Sequence, residues 1–104
     1  MYFTGGSNTP AFPTDLIVLQ NAPNPVSGTT DIRYGLPASS DVTIELYDVT
    51  GRRVFVDRVK GVASGWQTYP LDIAGGKPSL RSGIYFVRVK AIGLARESRM
   101  IVLR

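Results

Sequence analysis

Ser82-Gly-Ile-Tyr-Phe-Val-Arg-Val-Lys90 and, after a short gap, Ala95-Arg-Glu-Ser-Arg-Met-Ile-Val-Leu-Arg104 are the stretches that decide the fold. Both are rich in β-branched and aromatic residues, and a turn containing Gly93 separates them, so together they read as two antiparallel strands. The second run ends on the last residue of the sequence. It is expected to close a small all-β module with Ile101 or Val102 packed inward and Arg99 and Arg104 accessible.

Working outward, the same period of two recurs upstream. In Thr29 to Leu36, Ile32, Tyr34 and Leu36 share one face while Asp31 and Arg33 share the other, and Pro37 ends the run. Val42 to Tyr47 puts Val42, Ile44 and Leu46 inward and Thr43, Glu45 and Tyr47 outward. Asp48-Val-Thr-Gly51 reads as a type I turn with glycine at the left-handed position, and Val54 to Val59 pairs back with apolar residues on both faces. Gly61 to Gly65 turns the chain into Gln67 to Leu71, with Tyr69 and Leu71 as core side chains. Residues 72 to 83 are too rich in glycine and proline for a helix, and Leu80 is the expected plug that packs them down. A first strand is expected within Asp15 to Gln20, handed over by the rigid Asn21-Ala-Pro-Asn-Pro25 turn. Residues 1–13, with Gly-Gly-Ser and two prolines, read as a linker, and residues 14–104 as the domain. Seven short strands at this spacing predict an all-β, immunoglobulin-like β-sandwich of about seven antiparallel strands. Its inward set adds Tyr85, Val87, Val89 and alternate residues of the last strand.

Composition narrows function by elimination. The 104 residues contain no Cys and no His, which removes disulfides, thiol nucleophiles, imidazole bases and nearly every zinc or transition-metal site. The net charge is +4, but the arginines are scattered, with Arg52-Arg53 the one adjacent pair, so they read as solvated strand faces and no nucleic-acid partner is expected. No apolar run approaches the ~20 residues of a membrane-spanning helix, and residues 1 to 13 lack the pattern of a secretory signal. Met1 accordingly reads as the start of a trimmed fragment of a longer parent.

The carboxylates give little chemistry. Asp41 and Asp48 fall in expected turns and Glu45 and Asp57 on expected outward, solvated positions, so no acid–base pair stands out and no enzymatic activity is expected. Asp72 opens the long connection without the alternating acids of a calcium loop, and neither metal nor cofactor is expected. Trp66 and Phe86, with Tyr47 and Phe55, are the aromatics that could form an exposed contact platform; the alternative for Trp66 is a cap over the open end of the sandwich.

Four ordered segments carry a resemblance: Asn21-Ala-Pro-Asn-Pro25 with Thr29 to Pro37, then Val42 to Val54, then Leu80 to Val89, then Arg99 to Arg104. Together they resemble the C-terminal sorting domain of type IX secretion substrates, an immunoglobulin-like family related to a domain of flagellar hook-capping proteins. The residues that match its motif as structural positions are Asn21, Pro23, Asn24, Pro25, Tyr47, Asp48, Gly51, Gly83 and Tyr85. Val26 departs from it, since an aromatic usually follows Asn-Pro there, which implies a weakened packing contact. The resemblance implies a non-catalytic secretion-targeting and cell-surface attachment domain at the end of a larger secreted protein of a Gram-negative bacterium. It also implies as partners the N-terminal parent protein, an outer-membrane translocon, a sortase-like protease and, after processing, anionic lipopolysaccharide. Its recognition strand would be Arg99, Met100, Ile101, Val102, Leu103 and Arg104, with cleavage within residues 3 to 13. The rival reading is an accessory carbohydrate-binding or structural spacer module of a multidomain extracellular enzyme.

Overall fold

A strand buried on one face shows its period of two as alternating exposure, and the computed structural model, which describes residues 12–75 and 78–104, carries that pattern in long strands and no helix among the described residues. The elements are β1 (Ile17–Val18), β2 (Thr29–Leu36), β3 (Ser40–Asp48), β4 (Arg53–Val62), β5 (Gly65–Asp72), β6 (Gly83–Ala91) and β7 (Leu94–Val102). They form two antiparallel sheets, ordered β1-β2-β5 and β4-β3-β6-β7. Ile32, Tyr34, Leu36, Val42, Ile44, Leu46, Leu71, Val87, Val89, Met100 and Val102 are buried between them, each side chain contributing roughly 1.5–3 kcal/mol by leaving water. The predicted β-sandwich is therefore the observed one, and Leu80 is buried as expected.

Local chemistry fixes the turns. Asp48 Oδ1 accepts hydrogen bonds from the Thr50 amide (2.9 Å), the Thr50 hydroxyl (2.6 Å) and the Arg52 amide (3.1 Å). Gly51 supplies the left-handed step with φ 85°. Led by the Thr50 hydroxyl bond, these contacts hold the Asp48 carboxyl below its usual range. Asp72 ends β5 in the same manner, its Oδ1 accepting from the amides of Ala74 and Gly75. Asp41, expected to serve its own turn, lies on β3 and accepts from the Gly61 amide at 2.9 Å across to β4.

Other expectations change as well. The β4–β5 hairpin is tighter than the sequence suggests: β4 continues to Val62 and β5 resumes at Gly65. Only Ile17 and Val18 of the first apolar run are strand. Asp57 faces inward, opposite Ile44 across the β3–β4 pair, because the Tyr69 hydroxyl reaches from the other sheet to bond its Oδ2. Burial first, and that hydrogen bond second, push the Tyr69 phenol well above its usual value, so it stays protonated and ties the two sheets along their open side.

The expected linker lies mostly outside the described residues. Of it, Phe12 is exposed and Pro13 is buried. A Cβ built on Gly35 would stand 2.7 Å from Pro13 Cβ and 2.8 Å from Trp66 Cζ3, so both side chains cover the Gly35 backbone. Trp66 therefore lies on the outer face of the three-stranded sheet, beside β2, rather than capping the end of the sandwich.

Candidate recognition surface

Rigid, proline-bounded backbone can hold a strand edge without itself becoming a strand, and Asn21-Ala-Pro-Asn-Pro25 does so here. The Ala22 amide donates to Asp31 O and the Asp31 amide to Ala22 O, fixing one end on β2. Buried Asn21 donates its side-chain amide to Pro23 O (3.1 Å) and Thr30 Oγ1 (3.0 Å), while the Thr30 hydroxyl donates to Pro23 O (2.9 Å). The other end reaches β7: Asn24 Oδ1 accepts from the Ile101 amide at 2.8 Å, the Val26 amide donates to Ile101 O at 2.8 Å, and the Leu103 amide donates to Val26 O at 3.0 Å. Gln20 Nε2 also donates to Arg99 O at 2.6 Å. Val26 is fully buried and forms a parallel bridge with Val102.

This clasp has a consequence for β7. It is the last strand of the four-stranded sheet, yet the backbone of its C-terminal half is already bonded on the side away from β6. Removing one acceptor isolates the clasp's strength. Asn24→Ala leaves the part-buried Ile101 amide unsatisfied and is expected to lower stability by about 1–3 kcal/mol, measured by urea unfolding, without loss of the native circular dichroism spectrum.

What β7 leaves accessible is side chain. Met100 and Val102 are fully buried, whereas Arg99 and Leu103 are exposed, Leu103 at 58%, and Ile101 is half-buried. Register sets Arg99 opposite Phe86 and Ile101 opposite exposed Ile84 on β6. Ile84, Phe86, Arg99, Ile101 and Leu103 thus lie along one margin of the sheet's outer face as an apolar strip with a single cation, and Arg99 has no side-chain partner among the described residues. Arg104 is exposed but not free. Its guanidinium donates to Leu80 O at 2.6 Å, and its amide donates to Ser82 Oγ at 2.8 Å.

The remaining motif residues support this face. Tyr85 is buried, its hydroxyl donating to Arg81 O at 2.9 Å, and Gly83 opens β6 opposite Val102. The Tyr47 ring lies 4.8 Å beneath the Arg88 guanidinium, which also pairs with Glu97. Glu45 corrects an expectation: it sits on the outer face but is only 1% exposed, because Arg53 (3.0 Å), Lys90 (3.7 Å) and the Tyr47 hydroxyl (3.2 Å) close over it. Burial alone would push its carboxyl up, but these donors and charges together hold it below its usual value. Trp66 and Phe86 lie on different sheets and cannot form one platform.

Nothing gathers three metal-ligating side chains among the described residues. No curated protein matches this chain in sequence. Among solved structures it is similar to the dimeric latent PorU from Porphyromonas gingivalis, with a TM-score of 0.63 and 25% identity over 85% of this chain. The match spans 9% of that much longer chain. The model of the secretion system C-terminal sorting domain matches residues 22–103, which run from the clasp through β7. The chain belongs to the family of C-terminal sorting domains of type IX secretion.

Proposed function

We propose that residues 14–104 are the non-catalytic address of a larger secreted protein, read by the type IX outer-membrane machinery through the outer-face strip of β6 and β7. Membership of the sorting family supports the secretion-targeting role. The observation that carries the mode of reading is the occupied edge of the C-terminal half of β7: Gln20, Asn24 and Val26 already bond the Arg99 carbonyl, both backbone groups of Ile101 and the Leu103 amide. Recognition of the folded domain therefore uses side chains, with Arg99 supplying charge selectivity and Ile84, Phe86, Ile101 and Leu103 supplying apolar contact. Arg104 and the buried Met100 and Val102 hold the strand in place.

Residues 1–13 then serve as the connection to the parent, and a sortase-like protease cuts within residues 3–13, a stretch whose Gly-Gly-Ser and two prolines have the composition of a linker. The parent is thereafter attached to the cell surface through anionic lipopolysaccharide. The test is a reporter carrying an inner-membrane export signal, expressed with and without residues 14–104 in a bacterium that has this secretion system. The fusion is expected outside the outer membrane and the bare reporter in the periplasm; equal distribution of the two would reject the proposal. The two aromatics of the rival carbohydrate reading stand apart, Trp66 against Gly35 on one sheet and Phe86 on the other.

A further inference from the structure

β4 is the other edge of the four-stranded sheet, bonded to β3 and, among the described residues, to no strand beyond it. Proteins guard such edges with charge, proline or bulges. The second half of β4 follows that habit, with Asp57, Arg58 and Lys60, whereas Val54-Phe-Val56 carries neither charge nor proline and is half-buried, its one irregularity being the register shift that skips Val54 between the Leu46–Phe55 and Tyr47–Arg53 pairs. There a groove of about 910 Å³ opens between β4 and residues 78–81, with Phe55, Leu80 and Tyr85 among its apolar lining. Its rim is basic: Arg52, Arg53 and Arg81 line it against a single acid, Asp48. Asp48 is already paired with Arg52, and Arg53 with Glu45, while Arg81 has no side-chain partner among the described residues.

From this we infer that the groove along Val54–Val56 is a docking site for an extended, acidic segment of a partner protein, which adds to the β4 edge, sets apolar side chains on Phe55 and Leu80, and offers a carboxylate to Arg81. Charge complementarity selects this occupant. A second copy of the chain would bring the same three arginines against its own, and an uncharged strand would leave Arg81 unmatched. The site is independent of the β7 strip, which lies at the opposite edge of the sheet.

The probe is a fluorescent, N-acetylated heptapeptide alternating valine with glutamate, titrated against the full 104-residue chain. Saturable binding is expected, with amide shifts in two-dimensional NMR centred on residues 53–56. Arg81→Glu, at an exposed position whose side chain holds nothing else, is expected to weaken binding about tenfold or more. Arg81→Ala, with a smaller loss, controls for any misfolding of the charge-reversed chain. The same peptide with lysine for glutamate is expected not to bind. Absence of binding, shifts centred on β7, equal binding of the lysine peptide, or affinity unchanged by both Arg81 variants would each overturn the inference, as would a dimer of the free chain held together through β4.

Discussion

Deleting residues 100–104 is expected to unfold the domain, not merely to erase a signal. Met100 and Val102 are both fully buried, and truncation of a buried methionine alone costs about 2–5 kcal/mol. The same deletion strips Asn24 Oδ1 and both backbone groups of Val26 of their partners, and frees Leu80 O from the Arg104 guanidinium. Each buried group left unsatisfied adds roughly 1–3 kcal/mol. The total reaches the ~5–15 kcal/mol that holds an ordinary domain together. In thermal melts followed by circular dichroism, the shortened chain should show no cooperative transition at 25 °C and above. A melting temperature within a few degrees of the intact chain would mean that β7 is dispensable to the sandwich. The expectation has a practical edge, because loss of secretion on such a truncation would report lost folding as readily as lost recognition.

How far the sequence exposes this depends on how local each determinant is. In β2, β3 and β6 a period of two runs unbroken between turn residues, so their inward sets and the sandwich itself are legible. The Asp48–Gly51 turn is equally plain, since its hydrogen bonds span four residues. The clasp is half legible: its two prolines announce a rigid segment, but the Asn24 bond to Ile101 crosses 77 positions, and no local pattern marks it. Val26 shows the same blindness, as a valine after a proline in a loop gives no sign that its backbone pairs with β7. Glu45 misleads for a different reason. Alternation places it correctly on the outer face, but outer is not exposed once Arg53, Lys90 and Tyr47 fold over it from three strands. Of the candidate strip, Ile84 and Phe86 could have been taken from the alternation of β6, which also turns Arg88 and Lys90 outward. The strip itself emerges only with the β6–β7 register.

In the proposed mode of recognition, the sorting machinery engages side chains on the outer face of β7 while the strand's backbone stays bonded. Arg99→Glu combined with Leu103→Glu tests it with little risk to the fold, because both side chains are exposed and neither makes a side-chain hydrogen bond or ion pair among the described residues. Surface substitutions of this kind usually change stability by less than about 0.5 kcal/mol, so the melting temperature should stay within a few degrees. Reversing the strip's one free cation and placing a charge on its most exposed apolar residue should nonetheless remove most of the contact it offers, with export falling about tenfold or more. The decisive measurement is the fraction of a domain-fused reporter outside the outer membrane for this double variant, taken beside the melting temperature of the purified domain. The expected result is a reporter retained in the periplasm with an unaltered melt; delivery equal to the parent sequence, with an equally unaltered melt, would rule out recognition through this strip.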